Sequence, residues 1–238
     1  MNPTAAILVI GDEILSGRTK DKNIGWLAEK LTDAGIQLVE ARVIVDVEAT
    51  IIRHVKELSD AYDYVFTSGG IGPTHDDITT QSIAKAFNTP VERNAEAMRR
   101  LVAHYRDTDI DFNEARQKMA DIPVGASLID NPVSAAPGFI LENVYVMAGV
   151  PAILQSMFDG YFHSLAGGVR PTRITVQCAT GEGNIATIMG DIGSEAGISV
   201  GSYPWFKPGQ FGTAVVVTEA CCAGTILMAA VATVGALT

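Results

Sequence analysis

The chain has 238 residues, 47% of them apolar, with 17 basic and 27 acidic side chains and a formal net charge of −10. This composition excludes a disordered chain, and the lack of a basic excess excludes non-specific nucleic-acid binding. Three cysteines without zinc-type spacing, Cys178, Cys221 and Cys222, suit a reducing compartment, so a cytoplasmic location is expected.

In chain order, residues 7–10 form a short buried strand. Residues 23–34 place Ile24, Leu27, Ala28 and Leu31 on one helical face, and Gly35 closes that helix. A strand follows over 36–45, then a helix over 48–60 with Ile51, Ile52, Val55 and Leu58 inward, then a strand over 62–67. A glycine turn leads to a helix over 80–87, to which Thr79 or Thr80 offers a side-chain cap. Residues 94–120 are helical and more charged, with a break at 107–109. Short strands near 126–130 and 139–148 precede a helix over 151–165. Such alternation predicts a three-layer α/β/α sandwich around a mostly parallel sheet.

Composition changes at 167–171. Residues 1–170 hold 15 basic and 23 acidic side chains, whereas 171–238 hold 2 and 4. The shift predicts two domains, 1–168 and 169–238. The second reads strand 173–178, helix 184–196, strands 198–203 and 211–218, and helix 221–235: a small α+β unit of βαββα order. Residues 220–238 carry no charge, but small residues dominate and aromatic or basic flanks are missing. A buried helix is expected there, not a membrane anchor. The start shows no basic leader region or cleavage site.

The richest stretch is 66–83. An apolar run ends at Ser68-Gly69-Gly70, followed by Gly72-Pro73, then Asp76 and Asp77, then a helix start. Bare backbone lets a ligand approach closely, and free N–H groups suit an anion. A carboxylate beside a phosphate site makes sense with a divalent cation between them. Glycines after a strand are also ordinary turn punctuation, and neither the Walker A nor the dinucleotide pattern is completed. Two more carboxylate sets follow strands: Asp12-Glu13 in Gly11-Asp12-Glu13-Ile14-Leu15-Ser16-Gly17, and Asp46 after Val45. Asp46 also suits a cap for the helix at 48. Convergence of all three sets predicts a metal-assisted phosphate site. Residues 131–139 and 148–151 offer a second main-chain cradle or a pair of tight turns. His75 is a candidate phosphate contact or acid. Ser16, Ser68 and Ser134 show no partnered His and acid, so a serine nucleophile is unsupported.

Residues 11–17, Asn23, Asp46, residues 68–79, Ala136-Pro137-Gly138-Phe139 and Ala148-Gly149-Val150-Pro151 together resemble the MoaB/Mog molybdopterin-binding domain family. They are most similar to the branch that forms the N-terminal part of CinA (competence/damage-inducible) proteins and of eukaryotic FAD synthases. The likeness covers about residues 4–165, and Gly-Ser-Tyr-Pro at 201–204 resembles the small domain that follows in CinA.

The resemblance implies a divalent-metal-dependent pyrophosphate hydrolase acting on ADP-ribose, FAD or a related nucleotide. Its implied metal is Mg²⁺, Mn²⁺ or Co²⁺, with a monovalent cation as a further candidate. Asp46 and Asp77 would be catalytic and hold the metal, with Asp12 and Glu13 as added ligands. Gly11, Ser68, Gly69, Gly70, Gly72, Thr74, Pro137, Gly138 and Gly149 would bind the ligand. The implied partners are a small nucleotide or pterin and further copies of the chain, as a dimer or trimer; nucleic acid and membrane are not expected. Here Ala148 replaces the family's usual Pro, and Ser134-Ala135 stands where Gly-Thr is usual. Neither the nicotinamide-mononucleotide deamidase domain of CinA nor the FAD synthase nucleotidyltransferase domain has a counterpart in these residues. Two rival readings are a pterin-binding, adenylyltransferase-like protein of molybdenum-cofactor assembly, and a non-catalytic binding module.

Overall fold

The computed structural model describes residues 2–219, so the helix expected over 221–235, with Cys221 and Cys222, lies outside the described residues. The chain divides into two compact units: residues 1–31 with 36–167, and residues 32–35 with 168–238.

The first unit opens with β1 (Thr4–Ile10), almost wholly apolar and buried from Ala5 onward. A one-turn helix α1 (Asp12–Leu15) follows, then α2 (Ile24–Asp33), β2 (Gln37–Ile44), α3 (Glu48–Ala61), β3 (Tyr64–Ser68) and α4 (Thr79–Ala86). Next come β4 (Val91–Arg93), α5 (Ala95–Tyr105), α6 (Glu114–Gln117), β5 (Asp121–Pro123), β6 (Ser127–Ile129), β7 (Gly138–Leu141), β8 (Val144–Met147) and α7 (Pro151–Tyr161).

Six strands form one sheet in the order β2-β1-β3-β8-β7-β6. The first four are mutually parallel, β7 runs antiparallel to β8, and β6 runs antiparallel to β7. Because side chains alternate across a strand, β1 serves two faces. Ala6, Leu8 and Ile10 join a core with Ile51, Val55 and Leu58 of α3, Ile83 of α4 and Leu101 of α5. On β3, Val65 belongs to that core, while Phe66 faces the other way, its ring 5.7 Å from Phe158 of α7. Trp26 of α2 also meets Phe158, at 5.5 Å. Each fully buried Leu, Ile or Phe contributes about 1.5–3 kcal/mol. The expected sandwich is therefore present.

Two local details differ from expectation. The stretch 94–120 is helical with a break, as expected, but the break runs over 106–113: Asn94 caps α5 by accepting from Glu96 N and Ala97 N, and Asn113 caps α6 by accepting from Arg116 N. A three-residue 3-10 turn then leads into β5, which pairs antiparallel with β4 as a small separate sheet. The run 139–148 is not one strand but the hairpin β7–β8, reversing at Glu142, whose φ is +52°.

The second unit contains β9 (Thr172–Cys178), α8 (Glu182–Gly193), β10 (Ile198–Lys207) and β11 (Gln210–Glu219). Its antiparallel sheet has the order β10-β11-β9. Cys178, Val215 and Val217 from the sheet pack with Ile185 and Ile192 of α8. Burial pushes the Cys178 thiol pKa up, which keeps it an unreactive core group. Among the described residues, no helix is long and apolar enough to cross a membrane.

Candidate functional site

Register creates the site. Ile10 of β1 pairs with Ile44 of β2, Val9 with Ser68 of β3, and Ser68 with Met147 of β8. Four parallel strands thus end level with one another, and the segments starting at Gly11, Val45, Gly69 and Ala148 emerge side by side. Ligands of open parallel sheets bind at this edge. A cavity of about 500 Å³ opens there, bordered by Gly11, Glu13, Asp46, the turn 69–73, Asp76, Asp77 and Gly149.

The glycines are sterically required. Gly69 has φ +110°, and a Cβ on it would overlap the Ile10 carbonyl oxygen. Gly149 lies so close to the first turn that its Cβ would sit 3.3 Å from the Gly69 Cα. Asn23, buried beneath both turns, ties them together: its Nδ2 donates to Ser68 Oγ at 2.8 Å and to the Gly149 carbonyl at 2.9 Å.

Four carboxylates border the cavity: Glu13, Asp46, Asp76 and Asp77. Glu13 folds back over Gly11, where a Cβ would meet its carboxylate oxygens at 2.8 Å. Asp46 Oδ2 accepts from the Asp12 N–H at 2.8 Å. Its pKa is nonetheless raised, first by burial and then by the negative charges of Asp12, Glu13 and Asp76, which outweigh that bond. Asp77 Oδ2 accepts from Thr74 N at 2.9 Å and Thr74 Oγ1 at 2.6 Å, which closes the turn. Lys118 straps the same turn from outside, donating to the carbonyls of Thr74 and Asp77 at 2.9 Å each. Lys, Arg and His are missing from the described residues on the cavity wall. Ile71, Met119, Val150 and Ile153 supply an apolar side. Asn131 shapes the neighbouring loop: its Nδ2 donates to Ser134 Oγ and Ala136 O, and its Oδ1 accepts from Val133 N and Ser134 N.

Of the residues singled out from sequence, Gly11, Glu13, Asp46, Gly69, Gly70, Gly72, Asp77 and Gly149 share this cavity. Others do not. Asp12 is exposed and contributes its main-chain N–H to Asp46 instead of a carboxylate to the wall. Ser68 is buried behind the wall, and the Thr74 hydroxyl is spent on Asp77. Gly69 N–H is also occupied, by the Met147 carbonyl at 3.1 Å. Pro137 borders a separate narrow cleft, and Gly138 is a packing glycine whose Cβ would overlap the Val146 carbonyl oxygen. The His75 side chain is fully exposed, 3.9 Å from Asp76.

The two proposed caps fail as well. Helix α4 has Ile78 as its N-cap, with no side-chain bond, and the Thr79 hydroxyl is buried beside Gly70 without a partner. Helix α3 begins after Val47, again without a side-chain cap, because Asp46 is turned to Asp12. No three acidic, histidine or cysteine groups among the described residues form a ready-made metal cage. The sequence alone assigns no role to Asp76, to the Asn23 brace or to the Lys118 strap. Asp76 was legible as half of an Asp-Asp pair; the other two depend on tertiary contacts.

Residues 6–166 match the family model described as "Probable molybdopterin binding domain". A protein of Pyrobaculum calidifontis is 38% identical over 167 residues, covering 68% of this chain and 64% of its own length. A probable FAD synthase of Caenorhabditis briggsae is 32% identical over 240 residues, covering 90% of this chain but 46% of its own length. The chain therefore spans just under two thirds of the first relative and less than half of the second. Among solved structures, CinA of Thermoplasma acidophilum superposes with a TM-score of 0.64 at 30% identity, over 68% of this chain and 97% of that one. The cavity and its strand ends all fall within the matched stretch, and the chain belongs to the molybdopterin-binding domain family.

Proposed function

We propose that the chain is a divalent-metal-dependent hydrolase that cleaves the pyrophosphate of a nucleotide such as ADP-ribose or FAD. The observation that carries this reading is Asp46, a carboxylate whose pKa is raised by burial and by three neighbouring acids at a glycine-lined cavity without a basic side chain. Such a set, all carboxylate oxygens, fits a hard divalent ion. No three of the described acidic groups stand together as a cage, so water and substrate phosphate would have to complete the ion's shell. When bound, such an ion neutralises phosphate charge and lowers the pKa of a water molecule.

The chain's own groups do the rest. Asp46 and Glu13 are the carboxylates to hold the ion, with Asp76 and the free oxygen of Asp77 alongside. The N–H groups of Gly70, Ile71 and Gly72 carry no hydrogen bond among the described residues and are the donors available to phosphate oxygens. The apolar side formed by Ile71, Met119, Val150 and Ile153 suits a planar ring and keeps water from it. Displacement at phosphorus needs positioning and charge neutralisation, with no covalent residue.

The family match over residues 6–166 favours a second reading, binding or adenylylation of molybdopterin. One experiment separates the two: ADP-ribose, FAD, or ATP with molybdopterin, each incubated with Mg²⁺, Mn²⁺ or Co²⁺. The hydrolase reading expects AMP from ADP-ribose or FAD, reduced at least about 100-fold by Asp46→Asn or Asp77→Asn, about the scale of losing one key charged contact. Adenylylated pterin as the sole product selects the second reading. Tight binding without any product leaves a non-catalytic module.

A further inference from the structure

A smaller chamber of about 50 Å³ adjoins the main cavity, sharing Glu13, Thr19 and Gly149 with it and reaching Asn23 and Ser68. Asn23 is 4% exposed and Ser68 2%. Only the amide nitrogen of Asn23 can satisfy the Gly149 carbonyl, so the orientation of its side chain is fixed. Both its protons are then spent, on Gly149 O and Ser68 Oγ, and Asn23 Oδ1 is left buried with no donor. Ser68 Oγ accepts one of those bonds and keeps its own proton to donate.

Buried polar atoms are nearly always partnered, so an orphan acceptor beside a binding cavity calls for an explanation. An acceptor lacking a donor, next to a hydroxyl whose proton is unspent, is the complement of one particular group. A hydroxyl donates and accepts through a single atom. One water molecule needs about 10–15 Å³ of such space, so the chamber has room for a hydroxyl and the carbon that bears it. Its inner end, Asn23 and Ser68, is uncharged. Glu13, Lys20, Asp21 and Lys22 border the rest of the chamber, and Asp21 is tied to the N–H groups of Asn23 and Ile24. The acceptor and donor at the inner end together select a hydroxyl, since an ammonium cannot accept the Ser68 proton and an ionised carboxylate or phosphate oxygen cannot donate to Asn23 Oδ1.

We propose that this chamber is a subsite for a ribose hydroxyl of the nucleotide bound in the main cavity, an assignment that rests on the nucleotide reading above. Sites built to hydrogen-bond a hydroxyl reject analogues lacking it, because their own polar groups are then stranded. The test is calorimetric titration of the full chain, in Mg²⁺, with ADP, 2′-deoxy-ADP and 3′-deoxy-ADP. Wild type, Ser68→Ala and Ser68→Cys are compared, the last keeping side-chain size with a weaker hydrogen-bonding atom. One of the two deoxynucleotides is expected to bind wild type about tenfold more weakly than ADP. In both variants that preference is expected to fall to within about twofold.

Equal affinity of wild type for all three nucleotides overturns the subsite, leaving the chamber to water, while the hydrolase reading survives. Discrimination retained in both variants places the hydroxyl elsewhere and also overturns it. If none of the three nucleotides binds, the subsite and the nucleotide reading fall together. Should one variant unfold, the other decides.

Discussion

Asp46 shows how a single side chain records the demands on the site. Its folded pKa lies above the ordinary value, so its charged form is less favourable in the native protein than in the unfolded chain. Its contribution to stability is therefore full below the unfolded pKa of about 3.9 and is lost as pH rises through the higher folded value. Asn in its place still accepts the Asp12 N–H while removing the charge that Asp12, Glu13 and Asp76 oppose. In chelator, Asp46→Asn is expected to melt at or above the wild-type temperature at pH 7, with the two curves converging near pH 3.5. Added Mg²⁺ should raise the melting temperature of wild type and not of the variant. A metal-free variant clearly less stable at pH 7 would contradict this account. Asp46, Glu13 and Asp77 could be picked from sequence because each follows a strand or a glycine turn. Asp12 misled for the same reason. Which atom of such a residue faces inward, main-chain N–H or carboxylate, depends on the φ/ψ of the next two residues, and no residue pattern reveals that.

At the level of elements, the turn after β3 is set by contacts from outside it. Gly69 meets the end of β1, Gly70 passes its carbonyl to Thr79 N at 3.0 Å, and Lys118 holds the far side. Gly69→Ala combines a strained φ with overlap against a rigid carbonyl. It is expected to destabilise the protein by roughly 2–4 kcal/mol, measured by urea titration, because neither strand end can retreat. A loss under about 0.5 kcal/mol would show that the turn is not held in this way.

Apolar runs and helical spacing made β1, α2, β2, α3 and β3 readable, because each buries a face that its own sequence advertises. The hairpin β7–β8 escaped notice because Glu142-Asn143 interrupts the apolar run with no glycine or proline. Asn143 earns its place through distant partners, donating to the carbonyls of Ser59 and Tyr62. Strands of three residues such as β4 and β5 are too short to show any period.

For the whole molecule, the salient fact is that each of the two compact units has apolar packing of its own among the described residues. The first packs both faces of the large sheet, around Leu8, Val55 and Leu101 on one and around Phe66 and Phe158 on the other; the second joins Cys178, Ile185, Ile192, Val215 and Val217. Chains with more than one core commonly depart from two-state unfolding. Scanning calorimetry is expected to resolve two transitions. Phe158→Ala, costing about 3–5 kcal/mol, should lower one, and Ile185→Ala, costing about 2–5 kcal/mol, should lower the other. A single transition moved equally by both variants would refute this. The fall in charge density near residue 170 was visible in composition, but the grouping of residues 32–35 with the second unit was not, since nothing in their sequence marks it.

The cavity wall without lysine or arginine also reverses a familiar rule of ionic strength. In an arginine-lined pocket, dissolved salt screens attraction and loosens an anion. Here the charged side chains on the wall all have the anion's own sign, so before a divalent ion is bound the same screening eases its entry.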